Sequence, residues 1–224
     1  AAFLIETSGS RPPTAQAHFF LDGSAAPFVK GLRAAGQRRL EAPLDAIEIL
    51  APVEVKDGPA AARLDPGAGF VMSFAIDFPD AAIGRQTRTL DMGNGAFVRE
   101  LCDARTFCRR ADVEAMQAQG LALGGTLWNA VVVDGAEVLT PGGLRHPDEP
   151  VRHKMLDALG DLATAGRPIL GRYSGVRAGH GVTNALLRAL FAAPHAWRIV
   201  TCDAERAARL PGTALAPADL DRVA

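Results

Sequence analysis

Residues 151–161 read Val-Arg-His-Lys-Met-Leu-Asp-Ala-Leu-Gly-Asp, and His153, Asp157 and Asp161 recur there at every fourth position. On a helix, turning about 100° per residue, these three share a sector about 80° wide, while Val151, Met155, Leu159 and Leu162 share another nearly opposite. Side chains four apart stand one above the other, so an imidazole at 153 and a carboxylate at 157 can meet one cation, and zinc accepts both donor types. The same spacing also makes an ordinary solvated i, i+4 pair, and spacing alone leaves both readings open. Gly160 costs about 1 kcal/mol relative to alanine inside a helix, which points to a close approach by another part of the chain at that position. Cys102, Cys108 and Cys202 form an odd, scattered set. They encode neither a disulfide framework nor a cysteine zinc site, and they fit a reducing cytoplasm.

The elements that would carry these groups are read from a chain of 224 residues, long enough for a substantial core. Its 24 Lys+Arg against 25 Asp+Glu leave a net charge of −1. That gives no general field for a phosphate backbone or an anionic membrane, so no nucleic-acid partner is expected. No apolar run reaches membrane-spanning length, and stable membrane insertion is not expected either. After the turn Asp22-Gly23-Ser24, Phe28, Val29, Leu32 and Ala35 recur at helical spacing, and Gly36 stops the helix. Ile47, Ile49, Val53 and Val55 alternate with polar residues, as do Phe70, Met72, Phe74, Ile76 and Phe78, and Asp65-Pro66-Gly67 turns the chain between them. A domain boundary falls near Pro43. Further on, Asp112 starts a helix to Gln119, and Leu127–Val133 turns at Asp134-Gly135 into Ala136–Leu139. Helices follow over 151–165 and 182–192. Helices laid on mainly antiparallel strands define an α+β class of two-layer α/β sandwich domains.

The string Val151–Asp161 closely resembles the signature of the zinc-dependent UDP-3-O-acyl-N-acetylglucosamine deacetylases of lipid A biosynthesis. Asp22-Gly23-Ser24-Ala25-Ala26-Pro27-Phe28, Ala104-Arg105-Thr106-Phe107, Gly120–Thr126 and Ser174–His180 resemble further motifs of that family, in the family's order, across about residues 20–200.

The resemblance implies a catalytic zinc, with His153 and Asp157 as two of its protein ligands and water in the open position. That water, its pKa lowered by zinc, would attack the acetyl carbonyl of an acylated UDP-N-acetylglucosamine and release acetate. Lys154 and Thr106 match positions beside the reacting carbonyl, where an ammonium and a hydroxyl stabilise the oxyanion. His180 matches the histidine that protonates the leaving amine, and Asp161 its carboxylate partner. Residues 105–139 resemble the insert that encloses the acyl chain, with Phe107, Val113, Leu121, Gly125, Thr126 and Val132 as lining candidates. Arg110 and Asn129 depart from the apolar or smaller residues usual there. A monomer in the cytoplasm of a Gram-negative bacterium is implied as well.

The family's remaining zinc ligand and general base come from a Glu-His pair upstream of the Asp-Gly-Ser turn, and this sequence has no Glu-His pair. His18, the only upstream histidine, matches nothing in the family. The expectation is therefore an N-terminally truncated chain: residues 1–43 a remnant of the first domain, residues 1–17 unrelated sequence, and residues 44–224 the second domain with its acyl-passage insert. Such a chain is expected to be inactive alone. The alternatives are a degenerate module that binds acyl ligands or UDP-sugars without catalysis, and a purely structural His153/Asp157 face.

Overall fold

A computed structural model describes residues 21–36, 42–93, 95–122 and 124–212. Residues 1–17 and His18 lie outside the described residues. Alternation sets the long strand β4 (Phe70–Asp77), in which Phe70, Met72, Phe74 and Ile76 all point into the core. The apolar positions 47–55, which read as one strand, form two: β1 (Asp45–Ile49) and β2 (Val53–Asp57). Pro52, with no N–H to donate, falls in the break. β3 (Ala60–Asp65) and β5 (Arg85–Asp91) complete this part of the chain.

The strand at the centre of the sheet, β9 (Ile169–Val176), is one the sequence pattern missed. It runs parallel to β1 and β4 and antiparallel to β3, pairing Tyr173 with Leu64 on one side and Met72 on the other. Its glycines hide it from a pattern search, yet the packing needs them. A Cβ on Gly171 would lie 2.8 Å from Ile49 Cγ1, and one on Gly175 would lie 2.6 Å from Phe74 Cε2. β10 (Trp197–Thr201) closes the far edge beside β1, and β5 pairs outside β4. The result is a seven-stranded sheet with mostly antiparallel neighbours.

Helices α3 (Glu149–Ala163) and α4 (His180–Phe191) cover one face of this sheet. Met155, Ala158, Leu162, Leu186 and Leu190 join Ile47, Leu64, Phe74 and Tyr173 in one buried cluster. Each large apolar side chain so enclosed contributes about 1.5–3 kcal/mol. The fold is α+β. α3 starts two residues earlier than the periodicity suggested, because Pro150 suits the first turn of a helix. Arg88 of β5 bonds Asp148 at 2.6 Å and Glu100 at 2.5 Å, and Arg152 bonds the same two carboxylates, fixing the start of α3 against the π-helical turn Phe97–Leu101. Gly160 is exposed, and a Cβ there would meet nothing within 4 Å. The close approach expected at that glycine is absent.

The stretch 105–139 forms a smaller layer. β6 (Phe107–Arg109) runs parallel to β7 (Val131–Asp134), which turns back into β8 (Glu137–Val138), and α2 (Arg110–Ala118) leans on them. The strand expected from Leu127 begins only at Val131, because Asn129 ties the preceding residues into a loop. Its Oδ1 accepts from Thr126 N at 2.7 Å and its Nδ2 donates to Gly124 O at 3.0 Å. Helix α1 (Ala26–Ala34) follows the Asp-Gly-Ser turn and packs on Val98 and Cys102 through Ala26. α5 (Ala204–Ala208) lies near the end of the described chain. No helix among the described residues is long and apolar enough to cross a membrane.

Candidate functional site

The apolar stripe of α3 meets the sheet, and His153 on its polar side meets the loop ahead of β6. His153 is consequently only 9% exposed. Phe107 stands edge-on to its ring with centroids 6.4 Å apart, and the ring's Nδ1 lies 3.0 Å from the Ala104 carbonyl oxygen. A carbonyl only accepts, so Nδ1 carries a proton, and when the ring is neutral Nε2 presents a lone pair. That nitrogen faces Asp157 Oδ1 at 3.3 Å. Two lone pairs opposed at this distance require either a second ring proton or a shared cation. Donors about 2.0–2.1 Å from a tetrahedral zinc ion stand about 3.3–3.4 Å apart, so the pair fits zinc in chemistry and spacing.

Asp157 is held ionised. Burial pushes its carboxyl upward, but the His153 imidazole and the Lys154 ammonium more than offset this and hold the pKa at about 2. Lys154 Nζ lies 2.7 Å from Asp157 Oδ2, so the ammonium expected beside a reacting carbonyl is engaged with this carboxylate. One turn on, Asp161 takes His180 Nδ1 in a two-oxygen contact at 2.9 and 3.0 Å. His180 is the first residue of α4 rather than a loop residue ahead of it, and its side chain is 69% exposed. With Nδ1 bonded to Asp161, Nε2 is the atom left for another partner.

Phe107 also faces a groove of about 860 Å³ between α2, β7 and the loop 121–130. Of the residues expected to line an acyl passage, Phe107, Val113, Gly125, Thr126 and Val132 line this groove, as does Thr106. Leu121 does not line it and is 42% exposed. Both departures noted in the sequence are on the wall. Arg110 is paired with Glu114 at 2.9 Å and Asp134 at 3.4 Å, and the Asn129 amide is spent on its own loop. Gly23 brings the Asp-Gly-Ser turn to the same wall, accepting a 2.7 Å hydrogen bond from Thr106 N. A smaller hollow of about 360 Å³, lined by Glu48, Asp203, Glu205 and Arg206 among others, holds none of these groups.

Among the described residues, no third His, Cys, Asp or Glu joins His153 and Asp157 in a metal-sized cluster. Sequence reading missed Glu149 and Arg105. Glu149 is completely buried and bonds Arg105 through both carboxylate oxygens. Its position four residues before His153 was the available signal.

The fold and site define a class: an α+β protein whose helix-borne imidazole–carboxylate pair adjoins an apolar groove through one shared aromatic ring. Residues 4–192 match the LpxC family model, described as UDP-3-O-acyl N-acetylglycosamine deacetylase, and the chain belongs to that family. A UDP-3-O-acyl-N-acetylglucosamine deacetylase of Phenylobacterium zucineum (strain HLK1) is 52% identical over 198 residues, covering 88% of this chain and 66% of the relative. Proteins of the same name from Anaeromyxobacter sp. (strain Fw109-5) and Anaeromyxobacter dehalogenans (strain 2CP-C) are 48% and 47% identical, covering 92% and 97% of this chain. The chain spans about two thirds of the length of these curated relatives, the shares being 66%, 67% and 66%.

Proposed function

We propose that the chain supplies part of the active site of a zinc-dependent deacetylase that removes acetate from UDP-3-O-acyl-N-acetylglucosamine, a step of lipid A biosynthesis. The observation that carries this reading is the opposition of His153 Nε2 and Asp157 Oδ1 at 3.3 Å, beside a ring that also lines the groove. His153 and Asp157 would hold the ion. Bound zinc supplies Lewis acidity and makes water a nucleophile near neutral pH.

The chain's own side chains then divide the remaining work. Thr106 on the groove wall and Lys154, once shared with Asp157, offer a hydroxyl and an ammonium to the oxygen that gains charge as the acetyl carbon becomes tetrahedral. His180, held at Nδ1 by Asp161, delivers the Nε2 proton to the departing sugar amine. The groove takes the acyl chain, each buried methylene adding about 0.8 kcal/mol to binding. The third protein ligand and the base that deprotonates water are not found among the described residues, so the 224-residue chain alone is expected to turn over little. Residues 1–43 and 44–224 are taken as two domains. The three unpaired cysteines support a cytoplasmic setting, in a Gram-negative bacterium, and we take the protein as a monomer.

The test combines metal analysis with acetate release. The purified chain should bind zinc, and lose it on His153→Ala or Asp157→Ala, while releasing little acetate until an upstream segment with a Glu-His pair is added. Full turnover by the chain alone would contradict the incomplete-site reading. Acyl-ligand binding with no dependence on zinc would favour a non-catalytic binding module.

A further inference from the structure

Glu149 and His153, one turn apart at the start of α3, grip opposite edges of a single peptide group. Glu149 Oε1 accepts from the Arg105 N–H at 3.0 Å, and the carbonyl of that same peptide, belonging to Ala104, accepts from His153 Nδ1 at 3.0 Å. The rest of the carboxylate is saturated. Arg105 Nε reaches Oε1 at 2.8 Å, while Arg105 Nη2 and Arg145 N reach Oε2 at 3.0 and 2.7 Å. The Glu149 side chain is 0% exposed and that of Arg105 9%.

Stability alone gives no reason for a charge in this place. Removing a carboxylate and a guanidinium from water costs several kcal/mol each, and an apolar pair of similar volume often serves a fold as well or better. A buried anion does what hydrocarbon cannot. Accepting from the N–H side of a peptide polarises it and makes its carbonyl oxygen a stronger acceptor. A stronger acceptor at Nδ1 fixes the ring's tautomer and orientation and raises the donor strength of Nε2, the atom that faces Asp157.

We propose that Glu149 is a positioning residue for the metal site, acting on His153 through the Ala104–Arg105 peptide. The inference rests on the zinc reading above. Glu149→Gln keeps the shape and one acceptor oxygen but removes the charge. In the full chain this variant binds zinc about 10- to 100-fold more weakly than the wild type, measured by competition with a chromophoric chelator. A metal-free readout accompanies it: the ¹H shift of the His153 Nδ1–H, which reports the strength of its bond to the Ala104 carbonyl, lies downfield in the wild type and moves upfield in Glu149→Gln.

If Glu149→Gln fails to fold, the double variant Glu149→Gln/Arg105→Met, which leaves neither charge buried and unpaired, is expected to fold and to show the same two losses. Wild-type zinc affinity together with an unchanged ring spectrum in either folded variant overturns the proposal. Failure of the wild type to take zinc would sink the metal reading instead, and the ring spectrum alone would then decide whether Glu149 governs His153.

Discussion

Substituting Gly23 by alanine should open the groove without unfolding the sheet. Gly23 has φ +86°, where an alanine costs about 1–2 kcal/mol. The added Cβ would also stand 3.0 Å from the Asn129 carbonyl carbon and closer still to its oxygen, an overlap with backbone of the kind that costs about 1–3 kcal/mol. Together these make about 2–5 kcal/mol if the turn stays docked. Lifting the turn off the insert is cheaper, since the direct loss there is the 2.7 Å Thr106 N–Gly23 O bond, worth about 0.5–1.5 kcal/mol net. The strain is therefore relieved locally. Hydrogen exchange should find the Thr106 amide at least about 30-fold less protected, the equivalent of about 2 kcal/mol, with residues 21–36 loosened and the amides of β4 and β9 unchanged. Affinity for an acyl ligand should fall in parallel, because Thr106 and Asn129 both form the groove wall. Unchanged protection at Thr106, or a loss spread evenly over β4 and β9, would refute the reasoning.

Three other outcomes follow from the same geometry. In a series of acyl ligands of increasing length, calorimetric affinity should rise about fourfold per methylene until the groove fills, and Val113→Trp should stop that rise several carbons earlier; a series indifferent to the substitution would remove α2 from the wall. In metal-free protein, Asp157 lies at about 2 against an ordinary 3.8, so it contributes about 2 kcal/mol that is fully present above pH 4 and lost as pH falls through 2. The stability difference between wild type and Asp157→Asn in denaturant should shrink by that amount between pH 5 and pH 2, and a constant difference would contradict the assignment. Arg105→Met strands the buried Glu149 carboxylate and should cost about 3–5 kcal/mol in urea unfolding at neutral pH, whereas a loss below about 1 kcal/mol would show that the pair is dispensable.

By itself the sequence determined what depends on local order along the chain. The period of β4, the spacing that stacks His153, Asp157 and Asp161 on one helix face, and the Asp-Gly-Ser turn are properties of neighbouring residues, and the backbone geometry of helix and strand converts them directly into shared faces. Tertiary structure decided what requires two distant segments to meet. β9 reads poorly because its glycines are demanded by Ile49 and Phe74, residues about a hundred or more positions away. No period along the chain marks the Ala104 carbonyl at His153 Nδ1, Glu149 on the other side of that peptide, or Phe107 between groove and imidazole. Leu121 and Gly160 fell the other way: apolar type or helix-breaking cost made each look engaged, and the fold left both facing solvent. The side chains able to do chemistry are thus legible one turn at a time, but which atoms face each other is fixed only when Ala104 and Phe107 pack against α3.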